Sequence, residues 1–276
     1  MSRKRETFQS VLTQAVEDLR RNGYDSKARH QRWLRKLRQL AKRMVGSDEE
    51  STRRVKRVLQ ASYTQKVTKG SIAKEHQISV YTVKQLSPSL QRELARRIAA
   101  ATELITLNKD RAVEQTLQRF SGWATAQNPG MTTPEKVREI KAQISKPLYQ
   151  QPFEERRTVI DQNAKFSANL NYLVASDNKA IAVIWDANAS RPNYHHRPEH
   201  LARNGKIFVL KDSWAYQNGY IKKDVDFYED TEGFATAPFC SCKGIYLYSL
   251  TDLPEEMLTE KGLAAVHDIK NGKGKR

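Results

Sequence analysis

Apolar residues recur at helical intervals through the first half of the chain and take up strand-like patterns only toward its end. Phe8, Val11, Leu12, Ala15 and Leu19 mark one face of a helix over 5–22, closed by Asn22-Gly23. Trp33, Leu34, Leu37, Leu40, Ala41 and Met44 form the stripe of a second helix over 26–45. Gly46 ends it, and Ser47 is placed to cap a third helix running through Val55, Val58 and Leu59. Over 68–87, Ile72, Ala73, Ile78, Val83 and Leu86 occupy the apolar positions of a helix-turn-helix. Ser79 is the N-cap of its second helix, and Gln77 stands where the turn usually carries glycine. The longest helical pattern, 88–126, runs from Leu90 to Trp123 with Asn108 as a candidate break.

The stretch 127–134 contains two prolines and a glycine without apolar periodicity, and reads as the linker between domains. Beyond it the spacing predicts a helix from Pro134 to about Ile144, capped by Thr133, and another over 152–176. The texture then changes. Residues 180–185 are a short apolar run rich in β-formers, 206–210 follow an Asn204-Gly205 turn, and 244–249 alternate, which predicts three strands. A charged aromatic loop over 222–236 separates the last two, and a short helix over 254–266 precedes a loose Gly/Lys end. The fold class expected is α+β: an all-α domain over 1–128, a small α+β domain over 133–250, and a tail over 251–276.

Charge sharpens this division. Residues 1–125 hold 27 lysines and arginines against 12 acids, whereas 126–276 hold 21 against 19. Nearly all of the net +17 is therefore in the helical half, which calls for an anionic partner, most often nucleic acid. The candidate contacts are Arg29, Arg32, Arg35, Lys36, Arg38, Lys42 and Arg43 in the second helix and Arg53, Arg54, Lys56 and Arg57 in the third. No apolar run approaches the ~18 residues of a membrane span. The basic N-terminus lacks a signal core, and the two cysteines are too close to pair readily, so the expected setting is a reducing cytoplasm.

The remaining chemistry is concentrated in two segments. Three of six histidines, His195, His196 and His200, lie in one of them, and both thiols lie in Pro238-Phe239-Cys240-Ser241-Cys242. His196, His200, Cys240 and Cys242 supply the two imidazoles and two thiols of a tetrahedral zinc site, with His195 or Asp186 as substitutes for His196. The same residues also allow a hydrogen-bonded structural histidine beside small buried thiols. A third possibility is a metal-dependent nuclease centred on His195, His196 and His200 near Asn193, Asn204 and Asp186.

The order of these features resembles the phage Mu F-like head-morphogenesis (minor capsid) family over about 150–245. The matching features are Glu154-Glu155-Arg156-Arg157 with Asn169 and Asn171, Ile184-Trp185, Arg197-Pro198-Glu199-His200, Asn204-Gly205-Lys206-Ile207-Phe208, and Pro238-Phe239-Cys240-Ser241-Cys242. Ser241 stands where the family usually has arginine, and Asp161 is the acid nearest to the place of the family's Thr-Glu pair. The resemblance implies a virion protein of the phage head without enzymatic activity. It would be assembled in the host cytoplasm in several copies near the portal or capsid protein; the basic helices lie outside the resemblance, and their charge is what implies non-specific contact with packaged DNA. A nuclease, or a helix-turn-helix regulator using 68–87, is the alternative.

Overall fold

The computed structural model describes residues 6–190, 192 and 194–272. Asn193, among the nuclease-type candidates, and the loose end from residue 273 lie outside them. The chain is α+β, as expected, with ten α-helices and one three-stranded sheet among the described residues. It divides into two compact units assembled from interleaved segments: Met1–Arg57 with Ile98–Val159, and Val58–Arg97 with Ile160–Arg276.

In the first unit, α1 (Phe8–Asn22) begins with a reciprocal cap. Ser10 donates its N–H to the Thr7 hydroxyl, and Thr7 donates its own to the Ser10 hydroxyl. Helix α2 (Lys27–Val45) is capped by Ser26, and α3 (Asp48–Tyr63) starts where Ser47 accepts the Glu50 N–H. The expected stripes are the buried ones: Val11, Leu12, Leu19, Leu37 and Ala41 pack with Val113, Leu117 and Phe120 of α6 (Ser87–Thr125) and with Ile144 and Leu148 of α7 (Pro134–Asp177). Met44, at the end of the α2 stripe, and Val58, expected in that of α3, are exposed instead.

Three sequence expectations change here. Helix α6 runs through Asn108, whose amide donates to the Thr158 hydroxyl at 3.4 Å rather than breaking the helix. The two helices expected after 134 are one, with Pro147 and Pro152 inside it. Each proline removes a backbone hydrogen bond, at roughly 3 kcal/mol. The fully buried Ile144 and Leu148 beside Pro147, and Glu155 beyond Pro152, hold the helix on course; Glu155 accepts bonds from Ser51 and Gln151. Residues 127–134, expected to separate domains, are instead tied to the end of α1. Gln127 C=O accepts the Tyr24 N–H, Arg20 C=O accepts the Gly130 N–H, and a side chain at Gly23 would meet the Pro129 ring at 2.7 Å.

In the second unit, α4 (Ser71–Glu75) and α5 (Val80–Gln85) form the helix-turn-helix shape, with Gln77 in the left-handed region at φ 54°. Helix α5 has six residues, and the buried ring of His76 at the end of α4 stacks on Tyr246. The sheet has the order β2 (Ile207–Val209), β1 (Ala182–Asp186), β3 (Lys243–Leu247), all antiparallel. Alternation along the central β1 gives it two buried faces. Ala182 joins Val209, Ile221, Leu250 and Leu258, while Val183 and Trp185 join Phe208 and Phe234. Trp185 pairs with Gly244, where a Cβ would meet the Phe234 ring at 2.5 Å, so glycine is what lets that ring lie on the strand. The loop after β2 is partly ordered by bridges, Val209 to Phe227 and Ile221 to Leu258. Short helices α8 (Pro198–Ala202) and α9 (Trp214–Gln217) flank β2, and α10 (Glu260–Lys270), capped by Thr259, follows the sheet.

Candidate metal centre

Helix α8 carries His200 into the core. Arg197 caps it in an extended conformation, Pro198 starts it, and the His200 ring lies edge-on to Trp185 with a centroid separation of 5.7 Å. The segment 238–242 approaches from the other side. Its backbone is pinned at both groups of Phe239: Asp161 on α7 accepts the N–H at 2.6 Å, and the Tyr194 hydroxyl donates to the C=O at 2.8 Å. Arg197 donates to the Pro238 C=O at 3.1 Å. Phe239 itself sits at φ 60° and Ala235 at φ 56°, conformations that cost on the order of 1–3 kcal/mol and persist only where the surroundings enforce them. These clamps present both thiols to one histidine.

His200 Nδ1 lies 3.2 Å from Cys242 Sγ and 3.6 Å from Cys240 Sγ, and all three residues are buried. Their donor atoms fall within 4.8 Å of one another, so the group could hold a metal ion. The opposite ring nitrogen, Nε2, meets the Glu232 carboxylate, which Arg203 also holds at 3.2 Å. A carboxylate on the far nitrogen fixes ring orientation and raises the basicity of the nitrogen that faces the ligand. Glu232 is itself held below the usual carboxylate range: burial opposes this, but the bonds from His200 and Arg203 outweigh it.

The two thiols differ in character. Cys240 is drawn below the usual thiol range because Cys242 S–H points to it, with the Cys242 and Ala235 backbones adding to the effect against the cost of burial. Cys242 is driven upward by the same bond and by burial. The bond between them thus pushes the two thiols in opposite directions, Cys240 toward the thiolate and Cys242 toward the thiol.

The four residues expected as ligands do not all meet. His200, Cys240 and Cys242 converge, but His196 is not in the group; its ring lies edge-on to Tyr194, 4.6 Å between centroids. Pro198 between the histidines is the reason, since it puts His196 ahead of α8 and His200 inside it. The three histidines likewise form no common cluster, and Asp186 uses a carboxylate oxygen to accept the Asn188 N–H. Sequence reasoning missed Glu232 entirely. It lies in an irregular loop, and only the fold carries it to His200.

The basic candidates stand on α2 and α3 in the first unit. Arg29 pairs with Asp25 and Asp18, Arg38 with Glu114, and Arg54 with Glu155. The other eight, Arg32, Arg35, Lys36, Lys42, Arg43, Arg53, Lys56 and Arg57, are exposed and make no ion pair among the described residues.

A cavity of about 630 Å³ adjoins the thiols, lined by Cys240, Ser241 and Cys242 together with residues of α4, α7 and β3. Among the described residues no helix is long and apolar enough to cross a membrane. Compared with protein-family models, with curated proteins and with solved structures, the chain matches none of them.

Proposed function

We propose that this chain is a structural protein of a phage head, acting in head morphogenesis by binding rather than by catalysis. The observation that supports it most is the convergence of the residues that carry the family resemblance. Arg197 holds Pro238, His200 meets Cys240 and Cys242, and Asp161 holds Phe239; separately, the Asn204 side chain accepts the Ala187 N–H. In this reading the motif is a staple: its side chains fasten an irregular, partly strained segment to the sheet.

Zinc is the metal we assign to the staple. Two sulfurs and one imidazole nitrogen are a soft donor set that suits it, and zinc imposes no geometry that would strain the chain. When bound, it supplies cross-linking of residues forty apart, and its binding energy becomes folding energy. The second unit then presents a fixed surface to portal or capsid protein, in several copies per virion. The unpaired cations of α2 and α3 take phosphates of packaged DNA without reading sequence.

A nuclease built on His195, His196 and His200 is the weaker reading, because His200 is turned to the thiols and its far nitrogen to Glu232. Mass spectrometry of purified virions tests the proposal. The chain is expected in particles at a fixed ratio to the portal protein, and its absence from particles of cells that express it would overturn the reading. The DNA arm is tested on the full chain. Affinity for duplex DNA should fall steeply with salt, and glutamate at Arg32, Arg35, Arg53 and Arg57 should flatten that slope. Unchanged slopes would remove DNA from the partners.

A further inference from the structure

We propose that the metal held by His200, Cys240 and Cys242 keeps its fourth position open toward the adjoining cavity, and that this position takes the carboxylate of a small organic acid. The inference rests on the metal reading above and adds a ligand to it.

The first argument is the donor count. Among the described residues, three side chains make up the group, whereas zinc takes four donors. Each nearby substitute is engaged elsewhere. Glu232 is on the opposite nitrogen of His200, Asp186 accepts the Asn188 N–H, and the His196 ring lies against Tyr194. Three protein ligands with one exchangeable position is the arrangement of zinc sites that bind something.

The second argument is the cavity itself. Both thiol residues line it, and its volume is within the range of small-ligand sites. Two hydroxyls in its wall are buried without a hydrogen-bond partner among the described residues: Ser241 Oγ, on a residue only 9% exposed, and Tyr246 Oη. A buried hydroxyl left unpaired costs about 1–3 kcal/mol, so both call for an acceptor that the chain does not supply. A carboxylate meets these demands together, with one oxygen on the metal and the other accepting from the hydroxyls. The rest of the wall mixes charges of both signs, Lys66 and Lys243 against Glu75 and Asp186, with the apolar side chains of Ala164, Ala168, Phe234 and Ile245, which offer a surface for a hydrocarbon body. Inorganic phosphate suits the wall less well, since it brings no apolar part to cover those side chains.

Cobalt(II) in the full-length protein reports the site directly, because thiolate-to-cobalt charge transfer shows that metal is bound and the d–d bands show its coordination. Isobutyrate should shift the d–d bands saturably, while isobutyramide and inorganic phosphate should not. Ser241→Ala and Tyr246→Phe, neither of them a metal ligand, should each weaken isobutyrate by about tenfold with cobalt stoichiometry unchanged, as expected for a lost hydrogen bond to a charged group. A tripeptide with a free C-terminus, compared with its amide, shows whether a chain end serves as the acid. Bands unmoved by isobutyrate, or moved equally by its amide or by phosphate, would overturn the proposal. So would a His196→Ala spectrum that differs from the parent's, since that ring would then be the fourth ligand. Absence of any charge-transfer band would remove the metal reading itself, and this inference with it.

Discussion

The two compact units are held together by different means. In the first, regular helices bury continuous stripes, and the stabilising term is apolar area: Leu12, Leu19, Leu37, Phe120 and Leu148 are all at most 1% exposed. In the second, three short strands support the stretch 211–242, which buries Ala215, Ile221 and Phe234 but whose last residues, 238–242, are fixed by single polar contacts to Asp161, Tyr194, Arg197 and His200. Area spreads stability over many residues. Point contacts concentrate it in a few, and they leave room for a site.

Breaking each core should show the likeness beneath the contrast. Phe120→Ala in the first unit and Trp185→Ala in the second each delete a fully buried aromatic ring, and each should cost about 3–5 kcal/mol in urea unfolding. The difference should lie in what else fails, because Trp185 also backs His200, so its loss should lower metal affinity while Phe120→Ala leaves it intact. Equal metal affinity in both variants would refute the separation.

Removing the proposed metal should give the next largest effect. With zinc at a hundredfold excess over its dissociation constant, chelation should remove about 3 kcal/mol. Hydrogen exchange should then rise at 232–242 and stay unchanged in α1 and α2. Uniform exchange after chelation would mean that the staple is not local.

Asp161→Ala sharpens the comparison further. It deletes the acceptor of the Phe239 N–H and the partner of Lys165, at about 2 kcal/mol, without touching a proposed ligand. Metal affinity should drop with it, because Phe239 then loses one of the two bonds that hold its left-handed backbone. A stability loss with unaltered metal affinity would show that the clamp and the centre are independent.

The smallest effect is that of acid. Burial lowers the pKa of His30 in the first unit and His76 in the second, so as pH falls through the ordinary histidine value the unfolded chain takes up protons before the folded one does. Stability is thus complete above about pH 6.5 and declines below it. In chelated protein, where metal release contributes nothing, melting temperature should fall between pH 7 and pH 5, both values on the order of one unit from the histidine reference. A flat profile would mean that neither ring stays neutral in the fold.

Much of the helical architecture could be read from spacing, because helix faces repeat and the buried stripes of α1 and α2 follow from local order alone. The caps at Ser47 and Ser79 were likewise legible, since a side-chain oxygen there needs only its own neighbours, whereas the helix expected over 254–266 starts only at Glu260, capped by Thr259. The three strands were visible as β-rich runs, and His200 with the two thiols as an unusual inventory. The sequence by itself thus determined the α+β class, the helical stripes, the strands and three of the four proposed ligands. Tertiary structure alone decided the rest. Helix α7 continues through two prolines because buried neighbours on both sides outweigh the lost backbone bonds, a sum no local rule contains. Residues 127–134 dock on α1 rather than divide the chain, because Gly23 leaves space for Pro129. His196 is turned away, and Glu232, Asp161 and Tyr246 are brought in, by contacts between segments tens of residues apart. Such contacts leave no period in the sequence, and only the packed core fixes which side chain arrives.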